Sequence, residues 1–374
     1  MNQEQQSLYH ALSYSRAFAK SRANGEDYSA IAQNLQDSIP FKLDVEKDAV
    51  KHRTAAEVTA QEKLSEQSTS FHKLLSLEVE KDLQHPEVLL KGIGNVDPAI
   101  GACIELLAKP SCSFSRLETA VTEFPWLQDT IMKLVNGEQF RRTDSYGKTI
   151  IVDNLRTAIS FIGISNLQIL IPAIVFKRTI PQITDPYPEI KQRIWEHAIS
   201  SANTAIFLSK IKERNKPLLY TSALFLNVGK NILIRIFFKA FDHLHKEQLL
   251  SAERARMQEK HDLVSKVTPD LDILQNLVDK HAMRLTIKIF QQMHLSYLPI
   301  TALYEGIQNE GNTFIDSVLV SKAKEYAELR SLIQQKLIPA SDILQWNKTL
   351  HLSVEEFTEL NQTNITKLHF SETE

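Results

Sequence analysis

Apolar residues recur at three- and four-residue spacing along most of the chain. No stretch alternates with the period of two that a half-buried strand requires. The pattern predicts an all-α protein. It places helices at 97–108, 113–123, 126–135, 150–162, 164–178, 187–213, 217–227, 230–242, 246–264, 270–292, 298–308, 313–336, 340–348 and 352–370. Phe124-Pro125 opens the third of these, because proline suits a first helical turn. Ser353-Val354-Glu355-Glu356 opens the last with a capping box. The first 85 residues differ. Leu8, Leu12 and Ala19 form one thin apolar stripe, and Ile31 and Leu35 another. From Leu43 to Leu83 a run without Gly or Pro carries apolar positions too sparse to hold a heptad. Helices this polar need tertiary burial, so the arm is expected to dock on the rest of the chain or on a second copy. The expected division is a helical arm at 1–85, a main helical domain at 86–310 and a C-terminal helical extension at 311–374.

Length and composition narrow the class. A chain of 374 residues with 43% hydrophobic and 24% charged residues can bury a sizeable core. A net charge of −2 gives no bulk field that would recruit nucleic acid or an anionic membrane. Basic residues are not interleaved with aromatics, and no nucleic-acid reading module is present. Cys103 and Cys112 make neither a disulfide framework nor a zinc-ligand spacing. The polar start, Met1 to Gln6, lacks the basic-then-apolar order of a signal peptide, so a cytoplasmic location is expected. Ala158 to Phe176 is apolar enough to suggest a membrane span. Gly163, Asn166, Gln168 and Pro172 interrupt it, and a buried helix–turn–helix is expected instead.

The chemistry-bearing residues cluster at 195–234. Trp195-Glu196-His197-Ala198 lies on one helix. Ala223-Leu224-Phe225-Leu226 then leads into Asn227-Val228-Gly229-Lys230 and a second apolar helix. This arrangement resembles the HD superfamily of helical metal-dependent phosphohydrolases, with a His on the first helix and a His-Asp pair before the Gly. Here Asn227-Val228 stands in place of that pair. Valine cannot bind a metal, and a metal ion needs several N or O ligands at once. The chain is therefore similar to the HDOD domain, the non-catalytic offshoot found in bacterial signal-transduction proteins. The resemblance covers roughly 86–310. It rests also on Glu123 through Asn136, where Phe124 stands in the acidic position before the proline, on Ile150 through Leu167, and on Leu285 through Pro299. The late His-His of many relatives is absent, and Tyr304-Glu305-Gly306-Ile307 stands instead. The resemblance implies a compact helical fold used for regulation, with no cofactor. It implies either a protein partner in a signalling pathway or a small regulatory ligand. A second copy joined through 1–85 is a further expected partner.

Three residues are candidates for a vestigial site: His197, Asn227 and Lys230. His197 shares a stripe with Ile190, Ile194 and Leu208, so mainly apolar surroundings are expected for it. Asn227 could hydrogen-bond in the same pocket, but capping the helix that begins near Lys230 is favoured, because Asn suits helix ends. A rearranged metal site drawing on His197, Asp262, Asp270 or Asp279 is the enzyme alternative. A structural or oligomerisation role for 1–85 is the third. His261-Asp262 lies in a charged segment well after the expected position and is not expected to bind a metal; His243 and His245 do not converge on one helix face and are expected at the surface. Arg141-Arg142 with Lys148, and Lys177-Arg178, are basic groups at expected helix ends.

Overall fold

The computed structural model describes residues 1–24, 44–84, 97–140, 146, 149–309, 314–344 and 352–368. Arg141, Arg142 and Lys148 lie outside them, as do residues 345–348 of the helix expected at 340–348. The fold is an all-α assembly, with sixteen α-helices among the described residues and one short 3₁₀ turn at Glu138–Phe140. In chain order they are α1 Gln3–Tyr14, α2 Arg16–Asn24, α3 Asp44–Leu83, α4 Ile100–Ala108, α5 Phe114–Thr122 and α6 Pro125–Val135. Next come α7 Leu155–Ile162, α8 Ile164–Thr179, α9 Glu189–Ile211, α10 Lys216–Phe225 and α11 Val228–Arg254. The last five are α12 Gln258–Val264, α13 Leu271–Gln292, α14 Ile300–Gln308, α15 Ile315–Gln334 and α16 Val354–Gln362.

Local chemistry sets most of these ends. Asn2 and Gln5 cap α1 reciprocally, and Ser353 and Glu356 do the same for α16. Pro125 opens α6 as expected. Gly163, at φ 79°, turns the chain between α7 and α8, which bend 108° from one another. Both helices are largely buried. Among the described residues no single helix is long and apolar enough to cross a membrane.

The helix expected at 150–162 begins only at Leu155, the one expected at 352–370 ends at Gln362, and one expected break is wrong. The sequence pattern divides 230–242 from 246–264, but the structure runs a single helix through to Arg254. Nothing at 243–245 can stop it: no Gly or Pro is present, and Leu244 packs into the core. The break comes at Arg256, in the left-handed region at φ 56°.

The first thin stripe of the N-terminal segment finds its burial within this chain, while Ile31 and Leu35 lie outside the described residues. Leu8, Leu12 and Ala19 form a small apolar cluster with Leu332 of α15. Phe71, Leu75 and Val79 of α3 join the main core, which extends to Leu360 and Ile365 near the C-terminus. Polar contacts fix the docking. Tyr14 donates to Gln275 on α13 at 2.7 Å, and the amide of Asp270 donates to His72 at 3.1 Å. The C-terminal segment is tied back by Asn203 on α9, whose amide donates to the carbonyls of Ile365 at 2.8 Å and Lys367 at 2.7 Å.

A polar cavity at the start of helix α11

The start of α11 is held against α13 by a glycine contact. A Cβ on Gly229 would lie 2.0 Å from the carbonyl oxygen of Ala282, so only glycine lets the two backbones approach this closely. Thr286 secures the contact. Its hydroxyl accepts from the Gly229 amide at 3.0 Å and donates to the Leu226 carbonyl at 3.2 Å. Asn227 and Lys230 are thereby fixed at one end of α11 on the cavity that His197 of α9 also lines, while Val228 is buried in the core.

Asn227 occupies the N-cap position of α11, but its side chain does not cap the helix. Its amide donates instead to Nδ1 of His197 at 3.1 Å. The expected cap is therefore corrected: bonding to the histidine takes precedence. With Nδ1 accepting, the ring proton is assigned to Nε2. Nε2 faces Oε1 of Glu328 at 3.5 Å and the Ser201 hydroxyl at 3.5 Å. The apolar surroundings expected for His197 are also corrected. Ile190 and Leu208 are buried in the core and Ile194 lines the same cavity, but the His197 ring itself meets Asn227, Glu328, Ser201 and the ring of Tyr9.

The electrostatics follow from burial. Desolvation holds the His197 imidazole below its ordinary pKa, against the pull of Glu328. Burial pushes the Glu328 carboxyl up, but Lys324, His197 and His10 outweigh it and bring the group down to about 2. Lys230 is lowered from 10.5 to about 8, chiefly by desolvation. Its ammonium donates to the Ser13 hydroxyl at 2.9 Å and lies 4.7 Å from the centre of the Tyr14 ring.

These groups surround a cavity of about 190 Å³. Its walls come from five helices: Tyr9, His10 and Ser13 on α1, Arg193 and His197 on α9, and Asn227, Lys230 and Asn231 at α11. Gln275 and Asp279 on α13 and Lys324 and Glu328 on α15 add further polar groups, and Ile194, Leu226, Val278 and Met283 supply apolar wall between them. His197, Asn227 and Lys230 are thus brought together. The groups from α1, α13 and α15 were not singled out as site residues in the sequence, Asp279 excepted. The signal was present in α15: Val320, Lys324 and Glu328 follow one another at four-residue spacing, so two charges continue an apolar stripe.

The other candidates serve structural ends. Asp270 caps α13 by accepting from the amides of Asp272 and Ile273. Asp262 is exposed and lies 3.6 Å from His261. Asp279 lies at the cavity wall and accepts from Gln275 at 2.6 Å. The rearranged metal set is therefore not assembled, and among the described residues no group of three or more His, Cys, Asp or Glu could hold a metal ion. His243 is exposed, as expected. His245 is not a surface group: it stacks on Phe241 and bonds the Val264 carbonyl at 2.9 Å. Lys177 and Arg178 lie over the rings of Trp195 and Trp126. Cys103 is buried, with its thiol pushed up to about 12.

A helical domain that keeps the first histidine, but offers an amide and a valine where a metal site needs ligands, defines a signal-transduction-related class. The family model for the HDOD domain matches residues 96–268, and the chain carries an HDOD domain there. No curated protein and no solved structure matches the chain. The matched region holds His197, Asn227, Lys230 and Asn231. The cavity walls from α1, α13 and α15 lie outside it.

Proposed function

We propose that the chain is a non-catalytic regulatory module that acts by binding a signalling protein partner or a small regulatory ligand. One observation carries this reading. Both ring nitrogens of His197 are directed at protein groups, Asn227 and Glu328, and the neighbouring position is filled by Val228, which is fully buried. A hydrolytic centre of the related type needs that histidine free to ligate and an acidic neighbour beside it. A ligating imidazole must also be oriented by its second nitrogen, whereas here Nδ1 accepts from an amide donor. The chemistry left is recognition by hydrogen bonds and charge.

The test is a hydrolysis assay on the full chain. Phosphomonoester and phosphodiester substrates are offered with Mn²⁺, Fe²⁺, Mg²⁺ or Ni²⁺. No metal-dependent turnover is expected. Turnover that requires a metal and disappears in His197→Gln overturns the proposal.

A further inference from the structure

The cavity contains two groups that the fold leaves incompletely satisfied. The first is Lys230. Its ammonium has three N–H donors, and among the described residues only the Ser13 hydroxyl accepts from it. No carboxylate lies within ion-pairing distance of it among those residues, although Glu328 and Asp279 exert a weaker pull from further away. The other charges around the cavity are partly matched. Lys324 pairs with Glu328 at 3.5 Å, and Arg193 pairs with Glu196 at 3.4 Å. The second group is Asn231, which is fully buried and lines the cavity. Its amide nitrogen donates to Thr179 at 3.0 Å, but among the described residues its carbonyl oxygen Oδ1 has no hydrogen-bond partner. A buried acceptor without a donor is costly and uncommon in native proteins.

Two further features agree in sign. The cavity lies at the N-terminal end of α11, where no side chain caps the helix and the helix dipole favours negative charge. Its volume of about 190 Å³ is modest. A dry cavity of about 150 Å³ takes a benzene-sized molecule, and pockets for drug-sized ligands run from about 300 Å³ upward. A nucleotide or cyclic dinucleotide would not fit within it.

We propose that this cavity is a binding site for a small monoanion that carries a hydroxyl beside its charge, with the anionic group on Lys230 and the hydroxyl donating to Asn231 Oδ1. This deepens the regulatory reading above and rests on it, because the cavity is taken as a sensor pocket and not as a catalytic centre. A 2-hydroxycarboxylate and dihydrogen phosphate share this chemistry. Tyr9, His10 and Ser13 form one wall, so an occupant also bears on the docking of α1.

The experiment is calorimetric titration of the full chain with glycolate, lactate, inorganic phosphate and acetate at matched ionic strength. Saturable binding of glycolate and lactate, or of phosphate, is expected, and which one binds identifies the source of the anion. Acetate, which cannot donate to Asn231, should bind about tenfold more weakly, the value of one buried hydrogen bond. Lys230→Met should abolish binding. Asn231→Ala should bring lactate and acetate to equal affinity. A readout independent of any variant is reductive methylation of Lys230 followed by mass spectrometry, which bound ligand should slow. Absence of saturable binding by glycolate, lactate and phosphate overturns the proposal, as does binding that survives Lys230→Met. Hydrolytic turnover would overturn the regulatory reading and leave anion binding standing. A failed titration without turnover sinks the anion site alone.

Discussion

Asn227 donates its side-chain amide to Nδ1 of His197 at 3.1 Å, joining the start of α11 to the middle of α9. The same bond fixes the imidazole tautomer and directs Nε2–H toward Glu328. The histidine is thus held as a neutral link between an amide and a carboxylate.

Replacing His197 with Leu should expose what this link does. Glu328 would lose one donor and Asn227 its acceptor, both in a poorly solvated site. The expected destabilisation is about 1 to 3 kcal/mol by urea unfolding, the ordinary cost of orphaned buried polar groups. His197→Gln, which can still donate and accept, should lose less. Equal stability of wild type and His197→Leu would show that the link carries no weight.

The pH dependence should separate Glu328 from Lys230. The Glu328 carboxyl lies below its unfolded value of 4.5, at about 2. Its contribution is therefore full above the unfolded value and is lost as pH falls toward the folded one. His197 is also lowered, from 6.5, and its preference for the neutral form likewise costs stability on acidification. Lys230, lowered from 10.5 to about 8, acts in the alkaline range. Between those values the unfolded chain holds a proton that the folded chain has released, so stability gains from this group as pH rises. Urea titrations across pH should show a shallower acid loss in Glu328→Gln than in wild type. Lys230→Met should lack the alkaline gain. Parallel curves for wild type and both variants would contradict these assignments.

Gly229→Ala tests the contact that positions the site. The added Cβ would lie 2.0 Å from the Ala282 carbonyl oxygen and 2.7 Å from the Thr286 amide nitrogen, both backbone atoms that cannot swing aside. The cost should reach or exceed about 3 kcal/mol, the upper end for overpacking. A melting temperature unchanged from wild type would mean that α11 and α13 are not this close.

Much of the architecture is legible in the sequence because helical periodicity is local. The apolar spacing of α8, α9 and α13 places each of them to within two residues at either end. The division expected near 243 fails because polarity alone does not break a helix; Arg256, with its positive φ, does. His197, Asn227 and Lys230 stand out because they fall within thirty-four residues of one another in a patterned stretch. Tyr9, His10, Lys324 and Glu328 do not, since they approach the site only through long-range packing of α1 and α15. Much of the polar character of the cavity comes from α1, α13 and α15. It was therefore hidden from a view of α9 alone, where Ile190, Ile194 and Leu208 suggested an apolar setting.

The most direct test of a metal-free regulatory site is elemental analysis of the full chain, purified without chelator and then dialysed against Mn²⁺, Fe²⁺, Zn²⁺ and Ni²⁺ in turn. With a buried valine at 228 and both ring nitrogens of His197 directed at protein groups, none of these metals should be retained near one per chain. Retention of one metal ion per chain that is lost in His197→Gln would contradict the account.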